Sequence, residues 1–502
     1  MQDYPSFGTC LKSMLDSRDL SVQEAARMFG MKSSTSLARI IHDEVNFKTL
    51  ERFWNQLQEN ETFFLSTEET QMLQRALSIQ QMGLEQYLSH EAMWKLLLSG
   101  ERPACPEDIE LKIYGEASRL PFSVFSQLID FFTQCREVEI ILSGCCYPRF
   151  MDLLLPLFRQ NEKAPSLSLI HCLHGFQCRS HVLIKNINAI LPLLSLNNYT
   201  AYIADRKNMK QETAAPYRGN EMLCTVKDSE NNIRRFHGVL IEKNKMMLIE
   251  YAEETPYKFQ ADQFWHHHAQ LSPIKTRTSS GLHLQDYWDY TQYLMQQEDN
   301  RAIYSIKPDL PLPCIHPDLI LPGLIQGLKN MNLPISDERD IFIQKMYQTH
   351  LQRWKNVFEK KKITHIIFEI GAMMNFARTG VLSDHFFAMS PFSPLERRLI
   401  LTHLRTQMQE NPYFNIHFSS DPALPFHLEI TCFDQKSMLI CGSSASYDLY
   451  QGHSESNISQ GDFCQVFQEF YINELLPSHV HPPRASLTIM DQLISMIPSE
   501  AP

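Results

Sequence analysis

Residues 21–41 read SVQEAARMFGMKSSTSLARII, and their spacing predicts two short helices joined by a tight turn. Ser21 and Glu24 stand in the capping-box relation, in which the serine hydroxyl and the glutamate carboxylate each satisfy a free backbone N–H of a first helical turn. A helix therefore starts at Ser21 and buries Val22, Ala25, Ala26 and Phe29, with Gly30 where a left-handed C-terminal residue is wanted. Met31 and Lys32 form the turn. Ser33, Ser34, Thr35 and Ser36 then open a second helix whose Leu37, Ile40 and Ile41 fall at core spacing. Outward from this pair, Phe7, Leu11, Met14 and Leu15 precede it, and Phe47, Leu50, Phe53, Trp54 and Leu57 follow. Together they predict an all-α bundle of four or five helices over residues 1–60.

Leu20, Ser21, Ala26, Gly30, Ser34, Thr35, Arg39 and Ile40 follow a pattern of leucine-serine, small residue, turn glycine, serine/threonine and arginine-isoleucine. On these residues the stretch resembles the helix-turn-helix of phage-repressor-like (XRE-type) transcriptional regulators. The resemblance implies that Ser34, Thr35, Ser36 and Arg39 face base edges of double-stranded DNA while Lys32, Ser33 and Lys48 hold phosphates. The spacing from Gly30 to Arg39 and Ile40 is one residue longer than the family's, which moves the register of the second helix by about one position. Residues 1–60 carry seven Lys and Arg against eight Asp and Glu, so a reader built on them needs a homodimer for useful affinity. The bland alternative is a helical module that docks protein.

The 502-residue chain has a net charge of −11, so phosphate contacts must come from a local patch. Its 43% hydrophobic and 21% charged residues are those of a globular protein, long enough for several cores. Twelve scattered cysteines, among them the adjacent Cys145 and Cys146, form no disulfide framework and point to reduced thiols and a cytoplasmic protein. The opening residues hold no basic segment followed by an apolar run, so no signal peptide is expected. Runs such as Ala189 to Leu196 are too short to span a membrane, so no membrane partner is expected either.

A second capping box, Ser66 with Glu69, opens a helical connector over residues 61–105. Beyond it, short apolar runs at Glu110 to Ile113, Val138 to Leu142, Leu167 to Cys172 and Thr200 to Ala204 alternate with amphipathic stretches. That alternation predicts an α/β sensor domain with a mostly parallel sheet over residues 106–295. Ligands on such sheets bind at the carboxyl ends of strands, which makes SGCCYP (143–148) and HCLHGFQCRSH (171–181) the loops of interest. Gly144, Cys145, Cys146, His171 and His174 are the expected small-molecule contacts. His171 and Cys172 point to opposite faces of a strand and no pair has zinc-finger spacing, so no metal site is predicted. The three histidines of FWHHHAQL (264–271) spread over a wide helical arc and read as a helix face.

No dinucleotide, phosphate-loop, zinc-protease, nucleophile-elbow or H-x-K motif occurs, so neither an enzyme nor a cofactor is predicted, and an enzyme in the central domain ranks third. Prolines at 308, 311, 313, 317 and 322 predict an extended linker. After it, a long helix from Ile341, a capping box at Ser393 and Glu396, and three short strands from Asn415 to Cys441 predict an α+β effector or oligomerisation domain over residues 320–502. The whole layout, a small reader ahead of a large folded body, leads to the expectation of a one-component, ligand- or partner-responsive transcription regulator.

Overall fold

The computed structural model describes residues 4–60, 63–98, 110–114, 130–143, 166–173, 184, 187, 190, 194, 198–204, 221–242, 245–267, 271–278, 284–307, 310–330, 337–382, 391–420, 428–442, 454–459 and 461–498. The chain forms two compact units, Met1–Ala92 and Met93–Pro502.

The first unit is all helical. Helices α1 (Phe7–Ser17), α2 (Val22–Met28), α3 (Ser34–Ile41) and α4 (Phe47–Gln58) are capped in turn by Ser6, Ser21, Ser33 and Asn46, each accepting the backbone N–H three residues on. The Ser21–Glu24 capping box is complete, and Gly30 takes φ +66° with Met31 N–H returning to the Ala26 carbonyl at 2.8 Å. Phe7, Phe29, Phe53 and Phe63 meet edge to face, Phe29 and Phe63 with centroids 4.8 Å apart. A fifth helix, α5 (Thr67–Met82), sends Leu73, Ala76 and Leu77 into the same core. The expected connector is therefore part of the bundle at least as far as α5, which packs on α1 and α4. The boundary between the units falls inside α6 (Leu84–Leu98).

In the second unit, an eight-stranded sheet has the order β1-β7-β6-β5-β2-β3-β4-β8. Its strands are β1 (Glu110–Tyr114), β2 (Glu137–Ser143), β3 (Ser166–Leu173), β4 (Tyr199–Ala204), β5 (Glu221–Lys227), β6 (Ile233–Glu242), β7 (Lys245–Tyr251) and β8 (Leu271–Pro273). The expectation of a mostly parallel sheet is corrected: β2, β3 and β4 run parallel, but β5, β6 and β7 form an antiparallel meander on β2. The physical reason is loop length. Asp228 turns the chain within four residues by accepting from Glu230 and Asn232 N–H at 2.9 and 2.8 Å, and so tight a turn joins only antiparallel strands. Helix α7 (Glu254–His267) packs on β6 and β7.

Past β8 the chain crosses at Ile274 into β9 (Lys275–Thr278), the edge strand of a seven-stranded sheet ordered β12-β11-β10-β13-β14-β15-β9. Helix α8 (Leu284–Glu298) leads into β10 (Ile303–Lys307). Helices α9 (Pro317–Asn330) and α10 (Asp337–Phe358) precede β11 (Thr364–Phe368), and α11 (Ile370–Thr379) and α12 (Pro394–Glu410) precede β12 (Phe414–Phe418). Strands β13 (Leu428–Phe433), β14 (Ser437–Gly442) and β15 (Ser454–Ile458) complete the sheet, and α13 (Gly461–Phe470) with α14 (Pro483–Ser495) close the chain. The two sheets share one plan. In each, three parallel strands (β2-β3-β4, β10-β11-β12) are joined by a three-stranded meander (β5-β6-β7, β13-β14-β15) laid antiparallel on the first of them. The single extended stretch 271–278 is an edge strand of both.

The proline-rich stretch is not a linker. Leu310, Cys314 and Ile315 are buried, Pro313 sits in a 3-10 turn at Leu312–Cys314, and Pro317 opens α9, where a missing N–H costs nothing. Of the three strands expected from Asn415 to Cys441, β13 and β14 pair antiparallel, while β12 runs parallel to β11 at the sheet's other edge.

Candidate functional site

On the helix pair, Lys32, Ser33, Ser34, Thr35, Ser36, Arg39 and Lys48 are all exposed, with Leu37, Ile40 and Ile41 buried behind them. Three of these residues are engaged locally. Ser33 caps α3, accepting from Ser36 N–H at 3.3 Å, and the two hydroxyls lie 3.1 Å apart. Arg39 donates to the Glu44 carbonyl at 3.3 Å. Ser34 and Thr35 occupy the first turn of α3.

In the first sheet, Gly144, Cys145, Cys146 and His174 lie outside the described residues, as do Cys178 and His181. His171 is buried with its Nδ1 3.0 Å from the Tyr199 hydroxyl, while Cys172 packs with Leu223 and Phe264, and burial pushes its thiol up to about 12. The two neighbours take separate roles, as strand alternation requires. In the FWHHHAQL stretch Phe264 is core, Trp265 meets Tyr202 edge-on and His266 is exposed. Among the described residues no three His, Cys, Asp or Glu side chains are grouped to hold a metal, and no helix is long and apolar enough to cross a membrane.

Among the described residues, two ion pairs are buried side by side at the second sheet. A cavity of about 70 Å³ separates β10, β11, β13 and β14 from the helices above them. Helix α8 lines it with Tyr290, Leu294 and Glu298, spaced four apart, and α10 adds Arg353 and Val357. The floor is one face of the sheet: Ile303, Ser305 and Lys307 of β10 against Glu429, Thr431 and Phe433 of β13. Arg353 Nε reaches both Glu298 oxygens at 3.0 and 2.9 Å, and Nη2 reaches Oε1 at 2.6 Å; both side chains are under a tenth exposed. Lys307 pairs with the Glu429 carboxylate nearer the rim, at 15% and 16% exposure. Between the pairs Ser305 Oγ donates to Thr431 Oγ1 at 3.3 Å. Burial pushes the Cys314 thiol up to about 12, against the opposing pull of Lys307 and Arg353. None of these residues was singled out from sequence. The available signal was phase: Lys307 alternates with Ile303 and Ser305, and Glu429 with Thr431 and Phe433, which puts a charge on the inward side of each strand.

On the other face of the same sheet, His365 Nδ1 lies 3.0 Å from His417 Nε2, with the rings stacked and Tyr304 stacked on His365. Burial lowers both histidines to about 4, so the pair is neutral near pH 7, and one ring donates its proton to the other's lone pair.

No protein-family model and no curated protein matches the chain. Among solved structures that match is the crystal structure of phosphatidylserine synthase from Haemophilus influenzae Rd KW20, 11% identical, covering 74% of this chain and 93% of that one with a TM-score of 0.24. The expectation of a one-component transcription regulator meets the opposite finding there, an enzyme, and is withdrawn. With a TM-score of 0.24 that likeness itself carries neither a fold nor an activity over to this chain.

Proposed function

We propose that this protein binds a small polar molecule in the cavity of the second sheet. The observation behind the reading is the convergence of two ion pairs and the Ser305 and Thr431 hydroxyls on about 70 Å³ of unfilled space beside a largely apolar core. Taking four charges out of water costs several kcal/mol per ion, and an apolar set of side chains would fill the space more cheaply. Polar groups retained in a concave apolar site are the usual makings of ligand recognition. The volume is about five times the minimum that holds one water, which admits a ligand of a few heavy atoms. The test is thermal unfolding of the full chain with a panel of small carboxylates, amines, alcohols and amino acids. At least one member is expected to raise the melting temperature by a few degrees, and Ser305→Leu, which fills the cavity, is expected to abolish that rise. No shift from any member would sink the reading.

A second reading, favoured by the exposed polar row on α3 backed by a buried apolar one, is that the first unit docks on double-stranded DNA. It would do so as a dimer, given the near-neutral charge of residues 1–60. Fluorescence anisotropy with a labelled duplex is expected to give affinity that falls with salt, and Lys32→Ala together with Lys48→Ala should lower the slope of log K against log salt by about 2. A slope unchanged in that double variant would exclude these lysines as phosphate contacts and with them this reading.

A further inference from the structure

Resting on the reading of the cavity as a binding site, we propose that its ligand is a small zwitterion, one ammonium and one carboxylate a few atoms apart. Three observations converge on that class. Among the described residues the lining is electrically balanced, two cations against two carboxylates, so a lone anion or cation entering it would add an uncompensated charge to these buried pairs. A molecule carrying both signs adds none.

The two pairs also differ in what they can still do. Arg353 and Glu298 lock each other through three contacts at the buried end. Lys307 and Glu429 meet near the rim, at the carboxyl end of β10, where 15% and 16% of their side chains stay exposed and within reach of an incoming ligand. A zwitterion inserted there sets its carboxylate on Lys307 and its ammonium on Glu429. It thereby keeps every charge paired while the direct contact loosens. Ser305 and Thr431, one step further in, sit in a long 3.3 Å contact, and each hydroxyl is free to rotate toward a ligand atom.

Size sets the third limit. About 70 Å³ walled by Leu294, Val357 and Leu439 has room for a backbone-sized ammonium carboxylate and none for a long side chain.

Titration calorimetry of the full chain with glycine and β-alanine, against acetate and methylammonium at matched ionic strength, tests the assignment. At least one zwitterion is expected to bind with a Kd of about 1 mM or tighter, and each singly charged probe about tenfold more weakly. Lys307→Met and Glu429→Gln are each expected to weaken zwitterion binding at least about tenfold, because either change strands one end of the ligand. If a single variant does not fold, the Lys307→Met/Glu429→Leu pair replaces both charges with apolar groups and is expected to fold without binding. Acetate binding as tightly as glycine, and lost only in Lys307→Met, would overturn the zwitterion while leaving a ligand site in place. Absence of heat from all four probes likewise overturns this inference, whereas the broader melting panel and the Ser305→Leu variant decide whether any ligand binds at all.

Discussion

Arg353→Met is expected to lower the unfolding free energy by about 3–5 kcal/mol, the usual cost of stranding one member of a buried ion pair. Glu298 is 5% exposed and accepts three contacts from the Arg353 guanidinium, so the variant leaves a carboxylate in an apolar core with its main counter-charge gone. The carboxylate can relieve the strain only by protonating or by pulling water into the cavity, and either path weakens the α8 to α10 contact. The paired change Arg353→Met/Glu298→Leu should recover most of the loss, because matched apolar groups remove both desolvation costs together. Urea unfolding of the unaltered protein and the two variants followed by tryptophan fluorescence checks this, since Trp354 lies next to Arg353 on α10. A double variant no more stable than Arg353→Met alone would show that the pair is not the unit that matters.

Gly8→Ala is expected to cost about 3 kcal/mol, at the upper end of overpacking penalties. A Cβ there would stand 2.7 Å from the Ile40 carbonyl oxygen and closer still to that of Ile41, both backbone atoms at the end of α3 that cannot swing aside. The same neighbourhood is tied by Asp43, whose carboxylate accepts from Gly8 N–H at 3.0 Å while its own backbone sits at φ +55°. Gly30→Ala is the contrast: its Cβ would meet only the Gln56 amide at 3.8 Å, so φ +66° alone is strained and about 1 kcal/mol is expected. Amide hydrogen exchange in α1 and α3 reads both variants. Equal loss of protection in the two would mean that the close approach of α1 to α3 is not what holds the bundle.

The contrast between these two glycines marks how far the sequence was legible. Gly30 announces itself, because a glycine ending an apolar helical pattern has a local job, a left-handed turn that any chain with that spacing needs. Gly8 has no local signature. It lies inside a good helix and matters only because α3 arrives against it from thirty residues away. The capping boxes at Ser21, Ser66 and Ser393 were readable for the same reason as Gly30: each closes on itself within four residues.

The second sheet separates the two kinds of information further. Strand phase in Ile303 to Lys307 and Leu428 to Phe433 was present in the sequence, but pairing those strands across more than a hundred residues was not. Without that pairing Lys307 and Glu429 are two unrelated charges, and Pro308 to Pro322 reads as a tether because proline removes donors wherever it falls. Only the packed fold places Pro317 at a helix start and Cys314 in the core, lining the same cavity as the two ion pairs.

By itself, then, the sequence determined the elements whose hydrogen bonds close locally: the capped helices, the turn at Gly30 and the alternation of most strands. Tertiary structure alone decided the mixed order of the two sheets, their shared plan, the place of α5 in the bundle and the charged cavity between β10 and the helices above it. The reason is physical. A cap or turn is satisfied by neighbours a few residues off, whereas a buried charge is tolerable only beside a counter-charge, and which residue supplies it is set by the path of the whole chain.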